Sequence, residues 1–427
     1  MNRVVLKNPS IIHSDGQVSE AKAIVVENGR IKAIDPDIWS ADIEVDCTGK
    51  YVSPSFANLH THSPMNIFKG FAEDVTIDRW FNELIWPYEN RLVPEDAYHG
   101  SRVAIAEMQN NGVTVFADHY MFAEEIAKAA LEMDMSLDIA PTLFSLDGSF
   151  HEGLIKTIEL SEIYRDEERV VVSLGPHSPY TCSMEDLRTL AEIQVKSGLK
   201  VHIHAAETKE QVIRSRIETG KTPFEFLSKS GVLMGRTIIA HGLYVEEGDL
   251  LFLNQNTTFA ISPKTYYKLN MGFGNVPFLK DRIKIGIGTD GAASSNTLDP
   301  LEQARLLALM GKYLMKDSTS FPLREVWGYL MEGHRALEFD TGEIREGFSA
   351  DIIIWDLDKP STAVASDPLA AIIFSATSEN IDTVISKGVF VKREGKLKHD
   401  VSEDISYLKK RMIELGESKG GETSLSY

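Results

Sequence analysis

The chain has 427 residues, of which 43% are hydrophobic and 25% are charged, as in an ordinary globular protein. The formal net charge of −19 argues against a nucleic-acid surface, which would be basic. No stretch approaches the roughly 20 consecutive apolar residues that a membrane helix needs, and the opening residues MNRVVLKNPSIIHSDG lack the apolar core of an export signal. Cys47 and Cys182 offer no disulfide framework, which favours a cytoplasmic location. From the charge and the lack of long apolar runs we expect no nucleic-acid or membrane partner.

Both ends of the chain are rich in short β-type runs. Residues 1–53 contain VVLKNPSII, KAIVVENGRIKAID and IEVDCTGKYVS, whose polar and glycine breaks predict hairpins. Similar runs occur at 350–358 and 381–397, a helix is predicted over 401–416, and the tail ESKGGETSLSY is expected to be disordered. We interpret 1–53 together with 350–427 as one small β-sandwich domain formed by both ends.

Between these ends, over 54–349, strand-length apolar runs alternate with stretches of helical spacing. The helix over 184–197 is typical, since Ser183 can cap its start and Gly198 can end it. The alternation predicts an α/β fold of the (β/α)8 TIM-barrel type, because the early glycine turn of a doubly wound sheet is missing. The predicted strands are 55–62, 114–120, 137–144, 170–177, 200–207, 236–242, 257–263 and 284–291.

Histidines and carboxylates collect at the ends of these strands, which form the active-site face of a TIM barrel. His60 and His62 are two residues apart and therefore project to the same side of their strand. His204 and Asp290 lie at the ends of the fifth and eighth strands. Three imidazoles and a carboxylate suit a borderline divalent ion, so we predict zinc, with iron as the alternative.

The motifs NLHTHSPM, GPHSPYTCS, HIHAAE, AHG and GTDGAAS resemble those of the amidohydrolase superfamily, in particular its cytosine-deaminase-like branch. Within that branch the likeness is strongest to S-adenosylhomocysteine/methylthioadenosine deaminases and to related aminohydrolases and triazine hydrolases. It extends to EIREGFSADIIIWD near the C-terminus, where the family returns to its small β domain.

The resemblance implies that His60, His62, His204 and Asp290 bind the metal, the last also taking a proton from the attacking water. It implies further that His241 lies beside this water and that Glu207 shuttles protons to the substrate and the leaving amine. Binuclear members carry a carboxylated lysine on strand four. The run VVVSLGPH has no lysine, so we predict one metal ion.

Two further residues are candidates for binding the substrate. His177 resembles a family position that contacts the substrate, although a turn histidine between two prolines is the simpler alternative. Glu89 resembles a carboxylate that holds ribose hydroxyls, with a surface glutamate as its alternative. The aromatic residues of segment 79–88 favour a substrate wall, a core or a homo-oligomer contact. His119, at the end of a strand, either lines the pocket or is buried in the core. His202 is expected to be a buried, hydrogen-bonded histidine.

The chain departs from the family pattern at three places. The loop after strand seven reads AISPKTYYKLNMG instead of a His-Asn-Pro and Ser-Asn pattern, so Lys264, Tyr266, Tyr267 and Lys268 form either a specificity loop or a solvated loop. Tyr244 occupies a position that is often histidine. The end of strand three, PTLFSLDGSFHEG, has no arginine to pair with a homocysteine carboxylate.

The sequence thus predicts hydrolytic deamination of an aminated heterocycle, such as adenosine or 5′-methylthioadenosine. The alternative keeps the metal but changes the bond or ring, as in chlorotriazine or cyclic-amide hydrolysis or in pterin or guanine deamination. A non-catalytic scaffold is disfavoured because every ligand position is intact.

Overall fold

The computed structural model describes residues 3–146 and 148–417. The chain starts with short strands, several of which form the predicted hairpins. They are β1 (Val4–Lys7), β2 (Ser10–Ile12), β3 (Val18–Glu20), β4 (Ala23–Glu27), β5 (Arg30–Ile34), β6 (Ile43–Asp46) and β7 (Tyr51–Pro54). Strands β2 and β3 pair antiparallel, as do β4 and β5.

Strands and helices alternate over the central part of the chain, as the spacing of apolar residues predicts. The central strands are β8 (Phe56–Thr61), β9 (Val113–Tyr120), β10 (Ser136–Leu143), β11 (Val170–Val172), β12 (Gly175–Pro176), β13 (Val201–Ala205), β14 (Thr237–His241), β15 (Thr257–Ile261) and β16 (Lys284–Ile287). The helices that precede β13 are α1 (Ile77–Arg79), α2 (Trp86–Glu89), α3 (Pro94–Asn110), α4 (Ala123–Glu132), α5 (Phe150–Ile163) and α6 (Met184–Ser197). Those that follow it are α7 (Lys209–Thr219), α8 (Pro223–Ser230), α9 (Pro263–Lys268), α10 (Val276–Leu279), α11 (Ala292–Ser295), α12 (Pro300–Met315) and α13 (Leu323–Leu337).

The last part of the chain returns to β structure. It consists of β17 (Ile352–Trp355), α14 (Pro368–Phe374), β18 (Ile381–Ser386), β19 (Val389–Arg393), β20 (Lys396–Leu397) and α15 (Ser402–Glu417). Helix α15 confirms the helix predicted near this end. The predicted disorder of ESKGGETSLSY falls, beyond the last residue of α15, outside the described residues.

The central strands form two parallel sheets, ordered β11-β10-β9-β8 and β13-β14-β15-β16. The sheets also touch at their edges: Leu174 and Val201 form a parallel bridge, and the Asp290 N–H donates to the carbonyl of His60 at 3.0 Å. Gly288 permits this second approach, because a Cβ there would lie 2.9 Å from the Cβ of His60. The carboxyl ends of the first and last central strands are therefore neighbours.

One predicted strand differs from the structure and one predicted helix matches it, each for a local reason. The fourth predicted strand, 170–177, is interrupted after Val172. Gly175 lies so close to β10 that a Cβ would stand 2.4 Å from the Pro141 carbonyl oxygen, and Pro176 has no N–H for a ladder bond. Helix α6 matches its prediction, with the Ser183 hydroxyl accepting from a backbone N–H and Gly198 ending it at φ 73°.

The β-rich ends of the chain meet in one mixed sheet, ordered β20-β19-β18-β17-β7-β2-β3. A second sheet, β5-β4-β1-β6, consists of N-terminal strands. One hydrophobic cluster contains Leu6 and Ile24 of the second sheet together with Val52, Ile352 and Ile385 of the mixed sheet. Apolar side chains from both ends of the sequence are thus buried together. Within the described ranges, no helix is long and apolar enough to cross a bilayer.

Candidate metal centre and pocket

The four predicted metal ligands converge at the carboxyl ends of β8, β13 and β16. The Nε2 atom of His62 lies 3.4 Å from that of His204 and 3.4 Å from Oδ1 of Asp290. The Nε2 atom of His60 lies 3.7 Å from the same carboxylate oxygen and makes no hydrogen bond although it is buried. The cluster therefore presents four donor atoms that face one another.

These separations fit a metal ion. Four ligands arranged tetrahedrally about zinc at about 2.05 Å stand roughly 3.3 Å from one another. Nitrogen and oxygen donors at 3.4 to 3.7 Å need only a small contraction to reach that arrangement. A buried imidazole nitrogen without a partner is rare, and a cation would supply the missing partner.

The second nitrogen of each histidine is held by another group, which fixes the ring. His62 Nδ1 lies 2.6 Å from the carbonyl oxygen of His119, and His204 Nδ1 lies 2.9 Å from that of His177. Each Nδ1 therefore carries the proton and donates it, so that each Nε2 keeps its lone pair toward the centre.

Burial sets the charge of the cluster. Desolvation, more than the neighbouring imidazoles, lowers the pKa of His60 and of His204 well below the usual value of 6.5. For His62 burial again lowers the pKa, while the Asp290 carboxylate opposes the effect. The imidazoles are consequently neutral near pH 7, the form in which histidine binds metals.

Asp290 is oriented by its own loop. The Gly291 N–H donates to Oδ1 at 2.7 Å, and the Ser294 hydroxyl donates to Oδ2 at 2.7 Å. Asp290 and His241 both adopt left-handed backbone conformations, with φ of 61° and 67°. Such conformations cost energy in residues other than glycine and are concentrated at functional sites.

Glu207 and His241 lie beside the cluster. His241 Nε2 is 3.9 Å from Glu207 Oε2, and both side chains are almost fully buried. The hydroxyl of Tyr180 donates to Glu207 Oε1. The carboxylate of Glu207 is therefore held between a phenol and an imidazole, close to the predicted metal ligands.

A pocket opens from this cluster and is lined by both polar and apolar side chains, the apolar ones being mostly aromatic residues and methionines. Its lining consists of His62, Met65, Ile77, Trp80, Phe81, Trp86, Glu89, His119, Tyr120, Met121, Thr142, Phe144, His177, His204, Glu207, His241, Thr265, Leu269, Met271, Asp290 and Ser294. Among the described residues this lining contains no lysine or arginine. Its acidic residues are Glu89, Glu207 and Asp290.

One wall of the pocket is a series of aromatic rings that leads away from the cluster. The ring of His177 lies 5.0 Å from that of His204, and Phe144 follows 4.7 Å from His177. Trp86 stands edge-on to Phe144 at 5.3 Å, and Phe81 follows 5.2 Å from Trp86. This wall suits a planar apolar ligand.

Glu89 is a buried carboxylate in the pocket, so the surface-glutamate alternative is wrong. Its exposed fraction is 6%, and burial raises its pKa to about 7, an effect that the Tyr120 hydroxyl partly opposes. Burying a carboxyl group costs free energy unless hydrogen bonds compensate, and a bound ligand can supply such hydrogen bonds.

The structure also settles residues that the sequence left open. His119 belongs to the pocket, and a nitrogen of its ring lies within 4.8 Å of ligand atoms of His62 and His204. The segment after strand seven forms helix α9, and its Tyr266 is 1% exposed and contacts His241. The alternative of a wholly solvated loop is therefore wrong for Tyr266. Lys264 and Lys268 pair instead with Glu302 and Glu73.

Sequence reasoning missed two contributors, Tyr180 and Ser294. The GPHSPYTCS motif contains the tyrosine, and the GTDGAAS motif contains the serine, so their proximity to functional positions was visible. Their hydrogen-bond partners were not, because these lie on side chains whose orientation depends on the packed strand ends.

Comparisons with known proteins agree with this geometry. Residues 51–391 match the amidohydrolase family. The chain is 32% identical to a 5′-deoxyadenosine deaminase of Methanothermobacter thermautotrophicus, covering 98% of each chain. It is 34% identical to a 5-methylthioadenosine/S-adenosylhomocysteine deaminase of Pyrococcus abyssi, covering 92% of this chain and 95% of the relative. The chain therefore belongs to the amidohydrolase family, a family of hydrolases, and the resemblance seen in its motifs is confirmed.

Solved structures share the fold. An adenosine deaminase of Xanthomonas campestris with bound zinc superposes with a TM-score of 0.92 at 24% identity, covering 97% of this chain and 99% of the other. A zinc complex of atrazine chlorohydrolase from Arthrobacter aurescens superposes with a TM-score of 0.87 at 20% identity, covering 96% of this chain and all of the other. The predicted α/β fold class is therefore supported at the level of the family fold.

Proposed function

We propose that the protein is a metal-dependent hydrolase that removes the amino group of a purine nucleoside, such as adenosine or 5′-methylthioadenosine, as ammonia. Water adds its oxygen to the ring carbon that bears the amine, and the bond between this carbon and the amine then breaks. The observation that carries the proposal is a buried set of metal-type ligands beside Glu207, in a pocket that also contains Glu89. Relatives named as deaminases of adenosine derivatives support it.

We assign the ion to His60, His62, His204 and Asp290. One divalent ion is proposed, most simply zinc, since three imidazoles and one carboxylate suit a borderline metal, with iron as the alternative. When bound, the ion acts as a Lewis acid and lowers the pKa of water toward about 7.

Glu207 is the proposed proton shuttle. Its carboxyl group gives a proton to the ring nitrogen next to the amine-bearing carbon, which makes that carbon more electrophilic. It then takes the proton of the hydroxyl group formed on the ring carbon and delivers it to the departing amine, so that a carbonyl forms and ammonia leaves. The proton held by Asp290 returns to Glu207 at the end of the cycle. The hydrogen bond from Tyr180 to Oε1 leaves Oε2 on the side of His241, and this orientation holds the shuttling atom in place.

Asp290 acts on the attacking water, and His241 acts on the negative charge that develops on its oxygen. Asp290 accepts the first proton of the water, and its carboxylate is held for this purpose by Ser294 and by the Gly291 N–H. His241 stabilises the negative oxygen as the ring carbon becomes tetrahedral.

The walls of the pocket favour a nucleoside with an uncharged 5′ group. We assign Glu89 to the ribose hydroxyls and His177 to contact with the heterocycle. Among the described lining residues, no cation is available to pair with the carboxylate of a homocysteine chain. The wall formed by Phe144, Trp86 and Phe81 instead suits hydrogen, methylthio or similar apolar substituents.

A second candidate keeps the ion but changes the bond. The similarity in fold to an atrazine chlorohydrolase favours a chlorinated triazine, and a cyclic amide, a pterin or guanine are the other substrates of this candidate. These compounds lack a ribose diol, the partner that we assign to Glu89. The buried carboxylate therefore favours a nucleoside.

The architecture that we propose around this site is a closed (β/α)8 barrel over 54–349. The contacts between both edges of the two parallel sheets support closure. The cluster shared by the two terminal sheets supports a β-sandwich domain of 1–53 with 350–427. From composition and sequence pattern we also propose a cytoplasmic location, a homo-oligomeric state and the lack of nucleic-acid or membrane partners.

An ammonia-release screen of the metal-loaded protein tests the function. The substrates are adenosine, 5′-deoxyadenosine, 5′-methylthioadenosine, S-adenosylhomocysteine, guanine, a pterin and atrazine. We expect ammonia from the nucleosides, with S-adenosylhomocysteine the poorest among them. Chloride from atrazine without ammonia from any nucleoside would overturn the proposal in favour of the second candidate. Failure with every substrate, in protein that holds its metal, would overturn both.

A further inference from the structure

The hydroxyl of Tyr266 lies between a backbone donor and the ring of His241. Tyr266 is on α9 and is 1% exposed. Its oxygen accepts the Ser262 N–H at 2.8 Å and stands 3.3 Å from Nδ1 of His241. No comparison assigns a role to this contact, and the loop that carries it departs from the family pattern.

The protons in this arrangement can be assigned. A phenol oxygen accepts hydrogen bonds and has one proton to donate. The Ser262 N–H can only donate, so the Tyr266 proton must find another acceptor. The Ser262 hydroxyl lies beside the phenol as a further donor to its oxygen, and His241 Nδ1 at 3.3 Å is then the acceptor for the phenol proton. That nitrogen must then carry a lone pair, which places the ring proton on Nε2.

We infer that Tyr266 is a positioning residue that holds His241 in the tautomer with Nε2 protonated and directed into the pocket. Nε2 lies 3.9 Å from Glu207 Oε2 and on the side of the predicted ligands. The other tautomer would turn a lone pair toward this carboxylate and place two protons, on Nδ1 and on the phenol, against each other.

The consequence for catalysis rests on the proposed function. An N–H at Nε2 donates to the oxygen that becomes negative when water attacks the ring carbon, an interaction that is strongest in the transition state. Tyr266→Phe keeps the ring and its packing but removes the donor. We expect kcat for adenosine to fall about 10- to 100-fold, with KM changed less than about twofold and metal content unchanged.

Tyr329→Phe is the matched control. It also removes a hydroxyl group that donates a hydrogen bond, in this case to Glu325 on helix α13. It should leave kcat unchanged. Two replacements of His241 add a second test. The amide nitrogen of His241→Gln can stand near Nε2 and that of His241→Asn near Nδ1, so the glutamine variant should retain more activity. Equal or reversed activities would contradict the assignment.

The tautomer itself is measured by nitrogen-15 NMR of the histidine-labelled, metal-loaded protein, with the His241 signals identified by their loss in His241→Gln. We expect Nε2 to carry the proton and Nδ1 to carry none, and Tyr266→Phe to raise the share of the other tautomer. Ser262→Ala, which keeps the backbone donor, should leave the tautomer as it is. Wild-type protein with Nδ1 protonated, or with both nitrogens protonated, would overturn the inference.

These outcomes separate the two proposals. The NMR measurement needs no substrate, so an Nε2–H tautomer in a protein that deaminates no nucleoside would leave the inference standing and overturn the function. Nucleoside deamination with the opposite tautomer would do the reverse.

Discussion

The imidazoles of His60 and His202 face each other, with His60 Nδ1 2.9 Å from His202 Nε2. His60 must keep the lone pair of its Nε2 to bind an ion, so its proton is on Nδ1 and is donated to His202. The sequence expectation of a buried, hydrogen-bonded His202 is confirmed. His202 also has a functional consequence, because its hydrogen bond orients His60, a proposed metal ligand.

Replacing His202 should therefore weaken metal binding. We expect His202→Ala to raise the dissociation constant for zinc about 10- to 100-fold, and His202→Gln, which retains an acceptor oxygen, to have a smaller effect. A competition titration with a chromophoric chelator measures both. Equal affinity in the alanine variant and the wild type would contradict the orienting role.

Replacing Glu207 should separate chemistry from metal binding. Glu207→Gln keeps the size of the side chain but cannot shuttle a proton, so kcat should fall about 10²- to 10⁴-fold. Metal content, measured by elemental analysis, should stay at the wild-type level, because Glu207 is not among the proposed ligands. Unchanged turnover would show that another group moves the protons.

Replacing Glu89 should change how stability depends on pH. Its pKa rises from the ordinary 4.5 to about 7 in the folded chain because the carboxyl group is buried. Between pH 4.5 and about 7 the unfolded chain has released this proton while the folded chain still holds it. The contribution of Glu89 to the free energy of unfolding is therefore fully present below the unfolded pKa and is lost as pH rises through the folded pKa. The loss amounts to about 3 kcal/mol, and Glu89→Gln should abolish it.

Urea unfolding of this variant and the wild type at several pH values gives the difference directly. Exposed Glu159 offers the control Glu159→Gln, which should leave the pH profile as it is. The same Glu89 variant should raise KM for adenosine by removing an acceptor for the ribose hydroxyls. Parallel pH profiles of Glu89→Gln and wild type would mean that the carboxyl group is not buried as described.

Removing Arg411 should destabilise the fold and disturb the pocket. Arg411 Nε lies 3.0 Å from both oxygens of Asp96, which is fully buried, and its Nη2 donates to the Arg91 carbonyl next to the Glu89 helix. Arg411→Ala leaves the carboxylate with Tyr407 as its remaining partner from α15. Because Arg411 is partly exposed, we expect a loss of about 2 kcal/mol in unfolding free energy, together with a raised KM.

Lys410→Ala is the matched control for the arginine variant, since the Lys410 side chain is 81% exposed on the same helix. Its midpoint of urea unfolding should equal that of the wild type. A normal midpoint in Arg411→Ala would show that α15 contributes little to the stability of the segment carrying Glu89.

The sequence alone determined the features that depend on neighbours along the chain. The two-residue spacing of His60 and His62 placed them on one side of a strand, and the polar residues around the 184–197 helix set its ends. The alternation of apolar runs and helical stretches predicted the order of strands and helices. These signals are local, because hydrogen bonds within helices and the alternation of side chains along strands involve residues close in sequence.

Only the tertiary structure decided which side chains act together. His60 meets His202 across 142 residues, and Tyr266 meets His241 across 25. The burial of Glu89 and the charge of the histidine cluster likewise follow from how the strand ends and the aromatic wall pack. A hydrogen bond or a pKa depends on distances of a few ångströms between groups remote in sequence, and those distances exist only once the chain has folded.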